Sequence, residues 1–587
     1  MTDQNSTHNG IVKETRFQCT QPESAPCKKL AQELGVPDLL AVLLWQRGIQ
    51  SPNEARDFLS PQLASLPSPF LLKDMDKAVA LVAKALQENW RIYIHGDYDV
   101  DGITSSALLA RFFRLIGKKT NCYQPDRLVE GYGLQESFIR AKAPIQNQTA
   151  LLITVDCGIS NIQEVQIAQK LGFKVIVTDH HLPGNELPPA DAIVNPHQKE
   201  CVFPFPSLSG VGVAFFLAHG IRNHLVEMGV LEKEKAPNLK RLMDLVALGT
   251  VADVMPLIST NRILVSAGLE VINQPDCTWA LALQKQQNNY SGASFRSEDI
   301  SYRFAPRINA PGRLGNPELA FELLSTDNPI ECQKLSAQIE ELNNQRRERE
   351  AEALDQVIAD CEHQEESGAS AFVVYGQFHQ GIIGILASRV VDRFKKPVII
   401  FTDDLSRLGT FRGSGRSVES VNLYNVIEAC SNAVIQFGGH AMAAGLAIHK
   451  DNLQFFSKQF EIAVAKLKIK ENAENVIIID YSPTPEEVLN NDFLYHYQTL
   501  QPFGNGNPEP IFLFDRPEFI KTQTVKNHLT FELKTNNQVF RGIGFNMAEK
   551  IKLIKQGPVQ LAFKLKKTVF RGEHRTELHI IELIKAV

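Results

Sequence analysis

Residues 95–102 read His95-Gly96-Asp97-Tyr98-Asp99-Val100-Asp101-Gly102, with three carboxylates spaced by two. Charges held this close repel one another unless something compensates them. Hard oxygens at such spacing are ligands for a divalent cation. A solvated, Asp-rich turn is the bland alternative for the stretch taken alone. Comparable donors recur further on. Asp156 stands before Cys157-Gly158, Asp179 before His180-His181, and Asp253 ends the helical pattern Leu239–Ala252.

Those donors need a scaffold that gathers distant segments. Apolar runs Arg91–His95, Ala150–Asp156, Lys174–His180 and Ala192–His197 end in polar clusters and alternate with helical patterns such as Ile103–Leu115. Strands this continuously apolar predict a parallel sheet covered on both faces. Ligands bind such sheets at the carboxyl ends of the strands. Carboxylates and a histidine converging there suffice for two metals about 3.5–4 Å apart. Such a pair suits phosphate-ester hydrolysis, because it activates water and stabilises both oxygens of an in-line displacement. Mixed His and carboxylate donors favour Mn²⁺ over Mg²⁺. The sequence has no GxxxxGK[ST], HExxH or GxSxG motif, which sets aside the chemistries those motifs carry. The run Gly438-Gly439-His440-Ala441-Met442-Ala443-Ala444-Gly445 lacks dinucleotide spacing, and tight helix packing explains it equally well.

At 587 residues and 65.5 kDa the chain is too long for one core. Residues 1–15 are polar and expected to be disordered, and amphipathic helical patterns cover about 28–58 and 74–88. Residues 329–366 predict one long solvated helix bridging two domains, with Pro329 at its first turn. A second α/β region follows, with strands Ala371–Tyr375 and Pro397–Thr402 and Gly-rich loops between. Short strands near 518–524, 528–534, 538–545, 558–567 and 575–584, with a helix near 547–554, predict an OB-type barrel.

The net charge of −5 excludes a uniformly basic coat, yet residues 516–587 hold 14 Lys and Arg against 6 Asp and Glu. That net +8 fits a single-strand platform, although most of Phe531, Phe540, Phe545, Phe563 and Phe570 are expected in the barrel core. Nine scattered cysteines without a CxxC pair fit reduced thiols. The first sixteen residues have no apolar core segment, and the apolar window 202–221 is broken by Pro204, Pro206 and glycines. A cytoplasmic protein without a membrane span is expected.

Asp99-Val-Asp101-Gly, Val155-Asp156-Cys-Gly, Asp179-His180-His181 and Ala252-Asp253-Val resemble the four motifs of the DHH phosphoesterase superfamily. His379-Gln-Gly-Ile-Ile-Gly-Ile-Leu-Ala-Ser-Arg389 and Gly438-Gly-His440 with Ala443-Ala-Gly445 resemble its DHHA1 domain. Within the superfamily, Pro125-Asp-Arg127, Gly131-Tyr-Gly-Leu134, Leu208-Ser-Gly-Val-Gly212, Arg307-Ile-Asn309 and Gly312-Arg313 resemble the RecJ family of single-strand-specific 5′→3′ DNA exonucleases. The resemblance departs at Pro311, where a small residue is usual, and at Phe378, where Trp is common.

By that resemblance His95, Asp99, Asp101, Asp156, His180 and Asp253 are metal ligands for two Mn²⁺ or Mg²⁺ ions, with Asp156 bridging. His181 contacts the scissile phosphate, Asp179 orients a neighbouring imidazole, and Asp97 supports the ligands or shapes the turn. Ser414 and Arg416 match 5′-phosphate contacts. Arg127, Arg307, Asn309, Arg313, His379, Gly438, Gly439 and His440 complete the implied substrate contacts. The expected organisation is a segment 1–45, a DHH domain 46–328, a connecting helix 329–366, a DHHA1 domain 367–470 and an OB-like domain 471–587. Expected partners are single-stranded DNA with a 5′ end and, by resemblance, a single-strand-binding protein and a helicase, around a monomer. The rival readings are a DHH phosphodiesterase of short oligoribonucleotides or cyclic dinucleotides, and a non-catalytic DNA-binding scaffold.

Overall fold

A computed structural model describes residues 15–19, 24–145, 148–287, 294–467, 475–534, 539–570 and 573–586. The segment 1–14, expected to be disordered, lies outside the described residues. The chain divides into two units: Leu63–Asn288 with Phe295–Ile469, and Met1–Gln62 with Asn289–Ser294 and Lys470–Val587.

The first unit holds two sheets. In one, five strands pair in parallel in the order Asn121–Tyr123, Arg91–Gly96, Ala150–Val155, Phe173–Thr178, Ala192–Val194. All six residues of Ala150–Val155 are buried, as expected of a strand covered on both faces. One face packs on Phe138, Ile139, Val165 and Ala168. Helices Met75–Gln87, Val100–Leu115, Gly210–Glu227 and Met243–Ala252 form another packed layer of this unit. Inside it the buried Arg111 donates to Asp244 at 3.2 Å. Trp279 Nε1 donates to the same carboxylate at 2.8 Å.

The connecting helix runs Pro329–Glu366, and Asn328 Oδ1 caps it by accepting from the amides of Ile330 and Glu331. Its Glu340 accepts from Arg307, and its buried Glu350 from Arg346 and Arg389. The helix is thereby paired to helix Ala305–Arg313 through Arg307 and to helix Ile383–Phe394 through Arg389, while the pair of Arg346 with Glu350 lies within it.

The second sheet has the order Gln436–Gly439, Ala443–His449, Thr410–Arg416, Val398–Asp403, Phe372–Tyr375, antiparallel except for its last pair. One expectation is corrected here. The Gly438–Gly445 run forms a hairpin rather than a helix packing site, and Gly413-Ser-Gly-Arg416 lies in a strand beside it. Bulky neighbours explain the glycines. A Cβ on Gly413 would stand 2.5 Å from Phe401 Cε1, and one on Gly415 2.9 Å from Leu423 Cδ2.

In the second unit the five expected strands are present as Phe519–Val525, His528–Lys534, Val539–Gly544, Val559–Phe570 and Glu573–Lys585, with helix Ile551–Gln556. A sixth, Phe512–Asp515, pairs with Val559–Phe570 at the sheet edge. The sequence reading missed it because it spans only four residues. Helices Ser24–Leu34, Asp38–Gln46 and Pro52–Leu59 share this barrel's core: Leu40, Leu43 and Leu44 pack in one cluster with Phe493, Phe512, Phe563 and Leu583. The N-terminal segment, read from sequence as separate, is a wall of the barrel unit. No described helix is long and apolar enough to cross a membrane.

Candidate metal centre

The carboxyl ends of three parallel strands and the N-termini of two helices meet at one point. Asp99 caps helix Val100–Leu115, its Oδ1 accepting from Gly102 N at 3.1 Å. Asp101 lies in that helix's first turn and accepts from the amides of Gly210 and Val211 at 2.6 and 2.8 Å. It thereby ties the start of helix Gly210–Glu227 to the cluster. Asp156 follows Ala150–Val155 at φ 58°, and Val254, beside Asp253, sits at φ 56°. Such angles strain non-glycine residues and are concentrated at functional sites.

Donor atoms of Asp97, Asp99 and Asp156 lie within 4.8 Å of one another, as do those of Asp101, His180 and Asp253, and of Asp156, His180 and His181. Asp156 and His180 recur between groups. His180 Nε2 stands 3.1 Å from Asp156 Oδ1, outside hydrogen-bonding alignment, and 3.6 Å from Asp253 Oδ2. Asp97 Oδ1, Asp253 Oδ2 and His95 Nε2 are also buried with no hydrogen-bond partner among the described residues. His95 is in none of the three groups; its ring packs on Phe138 and Tyr123.

Electrostatics describe a site short of positive charge. Burial, then Asp99, pushes Asp101 up to about 7, and burial with Asp101 and Asp99 pushes Asp253 up to about 9. Asp97 and Asp156 rise through burial and the neighbouring carboxylates. Burial holds His95 near about 3 and His180 near about 4, so both imidazoles are neutral with a free lone pair. Neutral imidazoles among crowded, unpaired carboxylates fit a pair of divalent cations.

Asp179 is fully buried and accepts from the amides of Ile159, His180 and His181 and from His181 Nδ1 at 2.7 Å. Burial would raise its pKa, but these bonds hold it down. Burial disfavours the His181 cation, yet Asp179 outweighs that and lifts it to about 9.

The cluster opens into a cavity of about 390 Å³ lined also by Tyr98, Arg127, Tyr132, Asn309 and Arg313. Asn309 Oδ1 accepts from Val100 N at 3.2 Å. Burial, then Arg127, Arg346 and Arg416, lowers Arg313 to about 10. Tyr98, Arg127 and Tyr132 also line a smaller pocket of about 180 Å³ that reaches Ser414. Arg416 Nη1 donates to Gly415 O at 2.8 Å. A Cβ on Gly384 would stand 3.1 Å from Ser414 Oγ and 3.4 Å from Arg416 Nη2, which places both side chains at the first turn of helix Ile383–Phe394. A hydroxyl, a guanidinium and a helix N-terminus together favour an anion.

Other expected contacts stand elsewhere. Arg307 forks onto Glu340. His379 accepts from Gly381 N and lines a separate surface depression beside Arg349. Gly438, Gly439 and His440 are exposed along the hairpin. Tyr98 and Tyr132 were not singled out from sequence. Arg127 lies over the Tyr98 ring at 5.0 Å, and Tyr132 OH is 3.2 Å from His181 Nδ1. Their places inside Asp97-Tyr98-Asp99 and Gly131-Tyr132-Gly133 were the available signal.

Residues 91–250 match the model of the DHH family, N-terminal domain, residues 368–466 that of the DHHA1 domain, and residues 479–582 that of the RecJ OB domain. The chain is 36% identical over 567 residues to the single-stranded-DNA-specific exonuclease RecJ of Haemophilus influenzae, covering 94% of this chain and 96% of the relative. It is 34% identical to the Escherichia coli K12 protein of that name, covering 93% and 95%. The crystal structure of RecJ in complex with Mn²⁺ from Thermus thermophilus is similar at TM-score 0.79 and 28% identity, over 98% of this chain and 80% of that one. A crystal structure of exonuclease RecJ bound to manganese is similar at TM-score 0.57 and 32% identity, over 68% and 97%.

Proposed function

The chain belongs to the RecJ family, and from that membership we propose a metal-dependent exonuclease that hydrolyses single-stranded DNA from a 5′ end to 5′-mononucleotides, in repair and recombination. The observation that carries this reading is a pair of neighbouring cavities with a shared lining. One holds the carboxylate cluster, the other reaches Ser414 beside Arg416, and Tyr98, Arg127 and Tyr132 line both.

Asp99, Asp101, Asp156, His180 and Asp253 would hold two Mn²⁺ or Mg²⁺ ions, with Asp97 beside them and the orphaned Nε2 of His95 as a further donor. Bound there, the ions supply Lewis acidity and lower the pKa of water. Asp179 fixes the His181 ring so that its Nε2 meets a phosphate oxygen. Arg313 and Arg127 attract the backbone, and Asn309 holds its helix against the Asp-rich turn. Arg416 and Ser414 bind the terminal phosphate and so set the polarity. Arg307 serves the connecting helix instead of the strand.

Residues 63–328 carry hydrolysis, 367–470 end recognition and 471–587 strand binding. In the barrel unit Phe531 and Phe563 are core, while Phe545 is 52% exposed between the rings of His528 and His579. The side chain of Phe570 lies outside the described residues. Exposed Lys521, Lys526 and Lys534, spread along the hairpin 519–534, have no ion-pair partner among the described residues and suit phosphate tracking. The protein acts as a cytoplasmic monomer, supplied with strands by a helicase and a single-strand-binding protein.

Incubated with Mn²⁺, the full chain should release mononucleotides from a 5′-phosphorylated single strand and not from the duplex. Cleavage confined to oligoribonucleotides or cyclic dinucleotides would hand the site to the shorter-substrate reading. Binding without release would make the chain a scaffold.

Gly210 supplies a finer test. A Cβ there would stand 2.6 Å from Cβ and Oδ1 of Asp156, so Gly210→Ala must push Asp156 aside without deleting a donor. Misplacement of about 1 Å costs on the order of 10²-fold in rate. Turnover should fall by that order with strand binding retained; wild-type turnover would show that Asp156 does not need its present position.

A further inference from the structure

Strand Thr410–Arg416 alternates between buried and half-buried residues, so Arg412, Ser414 and Arg416 share one face. Arg412 is one step beyond Ser414, about 7 Å along the strand. Its guanidinium has no hydrogen-bond or ion-pair partner among the described residues. It lines the pocket that holds Ser414 and also an adjoining cavity of about 530 Å³. Arg407, at the hairpin tip, lines that cavity as well. The two carboxylates there are already engaged: Glu130 accepts from Tyr123 OH at 2.7 Å and Asp126 N at 2.9 Å. Asp404 accepts from Ser406 N at 3.0 Å and Ser406 Oγ at 2.6 Å. At Gly438 and Gly445 a Cβ would meet nothing within 4 Å, so this wall is open.

The space thus continues past the corner that receives a terminal phosphate, and it presents uncompensated guanidinium groups there. Guanidinium groups pair with phosphate oxygens through charge-assisted, often bidentate bonds. We propose that the cleft admits strands whose 5′ end carries a diphosphate or triphosphate, with Arg412 and Arg407 holding the outer phosphates. The inference rests on the reading that Ser414 and Arg416 hold the first phosphate. The bond cleaved is unchanged. Water adds hydroxide to the first internucleotide phosphorus, the bond to the 3′ oxygen breaks, and that oxygen takes the proton. The first product is then an intact nucleoside 5′-triphosphate, and the shortened strand keeps a 5′-monophosphate.

The test uses the full chain with Mn²⁺ and one strand bearing a 5′-hydroxyl, monophosphate or triphosphate, reading kcat/KM and the mass of the first product. The triphosphate strand should be cleaved with release of nucleoside triphosphate. Arg412→Ala should lower the triphosphate-to-monophosphate ratio on the order of tenfold or more, and Arg412→Lys should restore part of it. Equal rates on hydroxyl and monophosphate ends would overturn the end-phosphate reading and the inference with it. A preference for monophosphate over hydroxyl with rejection of triphosphate would overturn the inference alone. A ratio untouched by Arg412→Ala, or a change in terminal-base preference instead, would also overturn it and assign the cavity to a nucleobase.

Discussion

Asp156→Ala should reduce mononucleotide release to background, a loss on the order of 10⁴-fold or more, as when a member of a catalytic unit is removed. Its carboxylate belongs to two of the three donor groups, so its loss disables both halves of the centre and added metal cannot restore it. The stability effect should run the other way. Asp156 is buried and crowded by Asp101, Asp99, Asp253 and Asp97, which raise its pKa. Without metal, deleting one of these charges relieves repulsion, so the metal-free variant should unfold no more easily than the parent. The parent should gain stability from Mn²⁺ by mass action, and the variant should gain less. Thermal unfolding with and without Mn²⁺, beside a nuclease assay, measures both. Substantial turnover, or equal Mn²⁺ stabilisation of the two proteins, would remove Asp156 from the centre.

Asp244→Ala should destabilise the catalytic unit by about 3–5 kcal/mol, the cost of stranding a buried charge. Asp244 accepts from Arg111 at 3.2 Å and from Trp279 Nε1 at 2.8 Å. Side-chain exposures of 10% for Arg111 and 3% for Asp244 leave little water to take over either bond. Arg111 belongs to the helix that begins with the Asp101 turn, and Asp244 to the one that ends before Asp253. The bond therefore fixes the spacing of two donor-bearing helices. Asp244→Asn, able to accept from Trp279 but without the charge, should fall between the two. Denaturant unfolding of the three proteins decides it, and a loss below about 1 kcal/mol would show that water reaches Arg111.

Four strands of the parallel sheet were legible because they are continuously apolar and end in polar clusters, whereas the fifth, Asn121–Tyr123, is a three-residue edge strand without an apolar run. The connecting helix was legible because a charged 38-residue pattern carries Pro only at its start. Of the second sheet, Phe372–Tyr375 and Val398–Asp403 were legible and the three Gly-containing strands were not, because Gly413, Gly415 and Gly439 admit Phe401, Leu423 and a close neighbouring strand where a strand pattern would show bulkier residues. Donor types and their strand ends could be read locally. That Arg307 is taken by Glu340 and His379 stands apart from the cavity depends on contacts across tens of residues, which no spacing rule reports.

The helices that wall the barrel unit are made early and their partners late. Arg47 Nε bonds Asn507 Oδ1 across 460 residues. At about 5–20 residues per second, roughly 25–90 s of synthesis separates the two. Leu40, Leu43 and Leu44 leave the ribosome with no core to enter and remain apolar surface until the last strands arrive. The unit between them has its own cores and can compact first. Once compact, it draws its two ends together and lowers the entropy of closing so long a loop. A lesion such as Asp244→Ala should therefore also slow completion of the barrel, and lengthen the interval in which those leucines invite chaperones or aggregation.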